Sequence, residues 1–96
     1  MTREVWKYNL SLTNEQSVSM PDGAVVLTVQ EQRGVLTFWA LVNPEARRVD
    51  RSFRIVGTGH PVDLPADQAP TLTLGWHYID TVQMGLLVWH VFEVHP

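Results

Sequence analysis

The segment Leu86–Val94 constrains the fold most strongly, because it is apolar on both faces of an extended chain. Side chains on a strand alternate between two faces, and here both alternating sets are apolar except at His90 and Glu93. A strand of this kind is normally covered from both sides. His90 and Glu93 lie an odd number of residues apart, so they are predicted to point to opposite faces. We therefore expect a central strand that is covered from two directions.

Five other segments have the alternation or the composition of strands. They are Val5–Leu12, Ala24–Gln32, Val35–Val42, Arg48–Gly57 and Trp76–Met84. The two-residue link Arg33-Gly34 predicts a β-hairpin, and the turn at Asn43–Arg47 extends that hairpin to a three-stranded meander. The last two strands are predicted to turn near Met84-Gly85.

Along the predicted strand Trp76–Met84, the period of two brings four large side chains into phase. These are Trp76, Tyr78, Val82 and Met84, with Asp80 among them. Since residues at even spacing lie on the same side of a regular strand, we expect all of them to share one face.

The remaining segments have the composition of turns and loops. Thr13–Asp22 is polar, and Thr13–Gln16 within it favours at most one short helical turn. The glycines and prolines of Gly57–Gly75 exclude a long helix or a central strand. A connection of that length is usually functional or disordered. The sequence thus predicts one mostly β domain over residues 1–96, with about six antiparallel strands in a small sandwich or partly open barrel.

Charge and composition narrow the classes of partner. The chain has 96 residues, a formal net charge of −3 and no cysteine. The negative charge argues against a nucleic-acid partner. The absence of cysteine excludes a disulfide framework and favours a reducing compartment. The charged N-terminus differs from a signal peptide, and no run approaches the roughly 20 apolar residues of a membrane helix. We expect a cytoplasmic protein without membrane association.

The four histidines raise the hypothesis of a metal site. His90 and His95 are an odd number of residues apart, so they point to opposite faces of a strand. A ligand set would need His77 and His90 from two strands with Asp80 or Glu93, whereas zinc requires three or four ligands in tetrahedral arrangement. We therefore predict no metal and no cofactor, and we keep a metal enzyme as the weakest alternative.

Residues for nucleophilic catalysis are available, but no motif surrounds them. Ser52, Thr58 and Thr81 could act only with an oriented base, and no G-x-S-x-G or comparable sequence is present. A carboxylate pair of Asp80 and Glu93 would depend on the strand register. The sequence favours a protein that is not an enzyme.

The cluster Gly57-Thr58-Gly59-His60-Pro61 is the best candidate for a small-molecule site. Glycines allow a ligand to approach the backbone, and consecutive amides bind anions. The cluster lacks a third glycine, a following helix and the Lys-Ser/Thr of phosphate loops, so a structural turn is the competing interpretation. If a ligand binds here, the candidate residues are Arg54, Thr58, Gly59 and His60.

Four tryptophans are many for a chain of this size, and each falls on a predicted strand. Tryptophan is favoured in cores and in interfaces, and two strands are apolar on both faces, which one small core cannot cover. The sequence therefore predicts a homo-oligomer. The candidate interface residues are Trp6, Trp39, Trp76, Trp89 and His90.

Four blocks of sequence spread over most of the chain carry a resemblance. They are Val5-Trp6-Lys7-Tyr8, Trp39-Ala40-Leu41-Val42-Asn43-Pro44, Phe53-Arg54-Ile55-Val56-Gly57-Thr58-Gly59-His60 and Leu87-Val88-Trp89-His90-Val91-Phe92-Glu93. The chain resembles a small uncharacterised family of proteins from tailed bacteriophages, especially those of actinobacteria, and from some bacterial genomes. The resemblance implies a phage or prophage source, action in the cytoplasm of the bacterial host and no established activity. It directs attention to the polar members of the blocks, Arg54, Thr58, Gly59, His60, His90 and Glu93.

These features together predict a non-enzymatic accessory protein of phage type. It would act by self-association and by binding a protein of the bacterial host, with the Gly57–Gly75 loop presented to that partner. The alternative is a small-ligand binder for a nucleotide or another anionic metabolite, which would use Arg54, Thr58 and His60 beside the loop.

Overall fold

A computed structural model of the chain describes residues 2–62 and 75–95. The described chain forms seven antiparallel strands in two sheets and contains no helix, which confirms the mostly β prediction. The strands are β1 Glu4–Leu10, β2 Glu15–Pro21, β3 Val25–Gln32, β4 Val35–Val42, β5 Arg48–Gly57, β6 Trp76–Met84 and β7 Leu87–Val94. Within this part of the chain, no helix long and apolar enough to span a membrane occurs.

One sheet has three strands in the order β1-β4-β3, and the other has four in the order β2-β5-β7-β6. Both predicted hairpins are confirmed. Arg33 and Gly34 join β3 to β4 with φ angles of 53° and 80°, as a type I′ turn requires. Gly85, with φ 62°, stands first in the two-residue turn between β6 and β7, which is the glycine position of a type II′ turn. The doubly apolar β7 lies inside its sheet, between β5 and β6.

The two sheets share one hydrophobic core and thus form a sandwich. Phe38 of β4 and Phe53 of β5 meet across the two sheets with ring centroids 5.1 Å apart, and both are fully buried. Tyr8 of β1 stacks on Phe38 at 5.0 Å. The buried cluster draws on both sheets and comprises Leu10, Met20, Ala24, Val29, Leu36, Phe38, Ala40, Val42, Phe53, Ile55, Val82 and Val91.

The predicted three-stranded meander is wrong, because β4 and β5 belong to different sheets. The turn at Asn43–Arg47 is present: the Ala46 amide donates to the Asn43 carbonyl at 3.1 Å, and the Glu45 amide donates to Asn43 Oδ1 at 3.1 Å. This turn carries the chain across to the second sheet, where β5 pairs with β2 and β7. The hydrophobic pattern gives each strand a face but does not give its neighbours.

At Thr13–Gln16, where at most one short helical turn was expected, the described chain contains none, and a seventh strand, β2, begins at Glu15. Gln16 holds the turn before it: its side chain accepts from the Ser11 amide at 3.0 Å and donates to the Ser11 carbonyl at 2.7 Å. Along β2, Val18 and Met20 alternate with exposed serines. The period of two is therefore present in β2, although the segment is polar.

The prediction that the large side chains of β6 share one face is wrong, because a β-bulge lies between Tyr78 and Asp80. Tyr78 lies opposite Phe92, whereas Val82 lies opposite Trp89. Because Phe92 and Trp89 are three residues apart on β7, they point to opposite faces. Trp76 and Tyr78 therefore lie on the outer face of the four-stranded sheet, while Asp80, Val82 and Met84 lie on the inner face.

Asp80 joins the edges of the two sheets. Its Oδ2 accepts hydrogen bonds from the Val29 amide at 3.0 Å and from Thr28 Oγ1 at 3.1 Å. A register shift in β3 between Val26 and Thr28 lies beside this contact, so bulges occur on both edges where they meet. Bulges and charged side chains are common means of protecting edge strands, and here the carboxylate closes one side of the sandwich.

Candidate functional site

The structure brings Arg54 and His60 of the predicted ligand site to one cavity. This cavity has a volume of about 340 Å³ and is also lined by Asn14, Val56 and Pro61. The Arg54 guanidinium lies over the Trp76 ring at 4.8 Å, and its NH1 is 4.0 Å from Glu15 Oε2. Arg54 Nε is buried and has no hydrogen-bond partner among the described residues. The cavity therefore offers a cation and an imidazole to a small ligand.

Gly57 and Gly59 determine where His60 lies. The His60 amide donates to the Gly57 carbonyl at 3.0 Å, which closes a turn in which Gly59 has φ 85°. A Cβ atom at Gly57 would lie 2.9 Å from His60 Nδ1 and 3.3 Å from the Trp89 ring. Gly57 is thus required for close packing of His60, and Gly59 for its backbone conformation. Beyond Val62, residues 63–74 of the predicted loop lie outside the described part of the chain.

Thr58 is not among the residues that line this cavity; it joins a hydrogen-bonded chain of side chains that we call the His90 network. Thr58 Oγ1 lies 2.7 Å from His90 Nε2, and Thr81 Oγ1 lies 3.0 Å from His90 Nδ1. Tyr78 OH is 2.6 Å from Thr81 Oγ1. Both imidazole nitrogens therefore have hydroxyl partners, which fix the ring in the plane of the network. Hydroxyl groups can donate or accept, so either tautomer of His90 is accommodated.

A buried ion pair lies on the opposite face of the same sheet. Arg51 of β5 donates to both carboxylate oxygens of Glu93 on β7, from Nε to Oε2 and from NH2 to Oε1 at 2.8 Å. Its NH1 donates to the Ala24 carbonyl, just before β3. Glu93 is only 3% exposed. The hydrogen bond to Glu93 raises the pKa of Arg51 above its ordinary value, although burial acts to lower it. The pair connects the two sheets.

The predicted opposition of His90 and Glu93 is confirmed. His90 lies in the network on the outer face, and Glu93 lies in the ion pair on the inner face. The carboxylates of Asp80 and Glu93 have separate partners. His77 is opposite Glu93 in the ladder, so it lies on the other side of the sheet from His90. In residues 2–62 and 75–95, no group of three or more histidine, aspartate or glutamate side chains is placed so that it could hold a metal ion.

Comparison with known proteins identifies the family of this chain. A family model described as "domain of unknown function (DUF7352)" matches residues 1–96. The chain belongs to this family. No curated protein and no solved structure matches the chain significantly. Membership of DUF7352 agrees with the expectation of an uncharacterised family.

The five candidate interface residues of this DUF7352 chain lie on different surfaces. Trp6 faces inward under the Arg48 guanidinium at 4.8 Å, and Trp39 is half-buried on the outer face of the three-stranded sheet. Trp76 packs on Phe92 with His90 nearby on the outer face of the other sheet. Trp89 faces the core. The five residues therefore do not form one patch.

Other exposed apolar residues do cluster on this DUF7352 chain. Val5 and Val25 flank Leu41 across β1, β4 and β3, and are 56% and 52% exposed. At the opposite end of the sandwich, Leu86 and Leu87 form the tip of the β6–β7 hairpin. Sequence reasoning did not identify these residues because exposure depends on the packing of neighbouring strands. It also missed the Arg51–Glu93 pair. The available signal was that Arg51 shares one face of its strand with the apolar residues Val49, Phe53 and Ile55, so that burial of its side chain could have been expected.

Proposed function

We propose that this protein is a non-enzymatic binding module that self-associates and binds other proteins. The observation that supports this function is the clustering of exposed apolar side chains at two places on the described surface, the Val5–Leu41–Val25 row and the Leu86–Leu87 tip. Single exposed apolar residues are normal, but contiguous patches mark interaction sites. A second copy of the chain is the partner that we test.

Self-association is tested by light scattering coupled to gel filtration, from 10 to 500 µM protein. We expect the weight-average mass to rise with concentration towards that of a dimer of the 10.9 kDa chain. A concentration-independent monomer over the whole range contradicts the proposal.

We also propose a phage or prophage source, action in the bacterial cytoplasm and a host protein as a further partner. The support is the resemblance of the four sequence blocks to phage-encoded proteins. The gene should lie within a block of phage genes, and its position among early genes rather than virion genes would favour a host partner. A location among bacterial housekeeping genes contradicts this source.

A second candidate function is the binding of a small anion at the Arg54–His60 cavity. It is favoured by the placement of Arg54 and His60 on one cavity of about 340 Å³. A guanidinium forms charge-assisted hydrogen bonds with carboxylate and phosphate oxygens, so a small anion would suit this cavity.

Anion binding is tested by thermal-shift measurements with inorganic phosphate and nucleoside monophosphates. We expect a ligand-dependent rise in melting temperature for the wild type and none for Arg54→Gln. Arg33→Gln, in the β3–β4 turn, is the matched control and should respond as the wild type does. If no anion raises the wild-type melting temperature, this candidate fails.

A further inference from the structure

The tip of the β6–β7 hairpin presents a leucine to solvent. Leu86 follows Gly85 in the two-residue turn and is 100% exposed, and Leu87 beside it is 57% exposed. Turn positions of this kind are usually polar. Gly85 alone carries the positive φ of the turn, so the fold does not require leucine at position 86. The apolar side chain at this tip is therefore unexplained by the stability of the monomer.

A groove opens directly beside this leucine. It has a volume of about 330 Å³. Its walls are Gly57, Thr58 and His60 at the end of β5 and Leu87, Val88 and Trp89 of β7, with Leu86 at its rim. Most of the β7 wall is apolar, and the groove is large enough for an aliphatic side chain.

The ring of Trp89 contributes to the lining of this groove and lies against Gly57, where an added Cβ atom would be 3.3 Å from it. The groove therefore offers an apolar surface to an aliphatic side chain at the tip of a turn.

We propose that the occupant of this groove is the hairpin tip of a second copy of the chain. The proposal rests on the self-association proposed above and assigns it to one surface. Leu86 and the groove are side by side on the same molecule. A two-fold axis near the tip can therefore place each Leu86 in the groove of the other copy, which is the self-complementary arrangement of an isologous dimer. Because the contact would be confined to the two hairpin tips, we expect the dimer to belong to the weak, concentration-dependent class.

Substitution of Leu86 separates this interface from other surfaces. Leu86→Ser should raise the dimer dissociation constant at least tenfold in sedimentation equilibrium between 10 and 500 µM, with an unchanged melting temperature at low concentration, because the side chain is fully exposed in the monomer. The matched control is Val25→Thr at the opposite end of the sandwich, which should dimerise as the wild type does.

The outcomes distinguish the two proposals. A wild-type protein that remains monomeric contradicts the proposed function itself. A wild-type dimer that Leu86→Ser leaves intact contradicts only the assignment to the tip, and loss of the dimer in Val25→Thr places the interface on the Val5–Leu41–Val25 row instead.

A second measurement tests the groove directly. In two-dimensional NMR spectra, the indole N–H resonance of Trp89 should move with protein concentration in the wild type and stay fixed in Leu86→Ser. The indole resonance of Trp6, at the opposite end of the sandwich, should not move. A wild-type dimer with an unchanged Trp89 resonance contradicts insertion of Leu86 into this groove.

Discussion

Arg51 and Glu93 form a bidentate ion pair inside the sandwich, and the same guanidinium donates to the carbonyl of Ala24, the residue just before β3 of the opposite sheet. Charged pairs in protein interiors have a large desolvation cost and do not necessarily add net stability. Removal of one partner is different, because it leaves the other charge buried without compensation.

Arg51→Met is expected to lower the free energy of unfolding by about 3–5 kcal/mol, because it leaves the Glu93 carboxylate buried and unpaired. Urea denaturation measures the change. Arg47→Met is the control: its pair with Asp22 at 3.5 Å is exposed, and it should change stability by less than about 1 kcal/mol. The double variant Arg51→Met/Glu93→Leu should regain much of the loss. Equal destabilisation by Arg47→Met and Arg51→Met would refute this role of the buried pair.

Asp80→Ala should open the side of the sandwich between β3 and β6. The substitution leaves the Val29 amide without its acceptor, and we expect a loss of about 1–3 kcal/mol in unfolding free energy. Hydrogen exchange should also accelerate at Val29 more than at Phe38. Asp50→Ala, at an exposed position opposite Ser19, provides the control. Unchanged exchange at Val29 in Asp80→Ala would argue against the carboxylate as its protecting group.

The His90 network predicts coupled effects of two threonines on opposite sides of one imidazole. Thr58→Val and Thr81→Val should each lower the unfolding free energy by about 0.5–1.5 kcal/mol. Their effects should not add, because both hydroxyls hold the same ring. A double-mutant cycle measured by urea denaturation gives the interaction energy. Strict additivity would mean that the two hydrogen bonds act independently.

The buried phenol of Tyr8 is expected to lower the free energy of unfolding at alkaline pH. Burial raises the pKa of the Tyr8 phenol above its ordinary value of 10.0, although the Arg48 guanidinium acts to lower it. Above pH 10 the unfolded chain loses this proton more readily than the folded chain, so the folded state binds more protons and stability falls as pH rises. Tyr8→Phe should show a smaller decrease in unfolding free energy between pH 9 and 11. The exposed Tyr78→Phe variant is the comparison, and identical pH profiles for wild type and Tyr8→Phe would contradict the prediction.

The sequence predicted the strands better than their arrangement. The bounds of β4, β5 and β6 agree with the predicted segments, and the turns at Arg33-Gly34 and Gly85 were indicated by their glycines, which adopt positive φ readily. β2 was missed because its outward serines make it polar overall. The bulge in β6 reversed the face of Trp76 and Tyr78, and no property of residues 78–80 in the sequence indicated the extra residue.

The candidate site was predictable only in part. Arg54 and His60 do meet at a cavity, because a short turn after β5 returns His60 beside the strand that carries Arg54. Thr58, their neighbour in sequence, instead binds His90 from β7. That contact depends on the register of β5 with β7, which long-range packing determines and local pattern does not contain. Arg51 and Glu93, 42 residues apart, were unpredictable as a pair for the same reason.

The strand order has a consequence for folding. The chain enters the three-stranded sheet with β1, leaves it for β2, returns for β3 and β4, and leaves again at β5. Among the described strands, β1 pairs only with β4, and β2 pairs only with β5, so each of these pairings has to form across the strands that lie between them in the sequence. Neither sheet can therefore be completed from a continuous piece of chain. Such non-local pairing slows folding to the millisecond-to-second range and couples the two sheets in one transition. Cutting the polypeptide between β4 and β5 would leave an N-terminal piece that keeps β2 but has lost its neighbour. The protein should therefore fold as a whole or not at all.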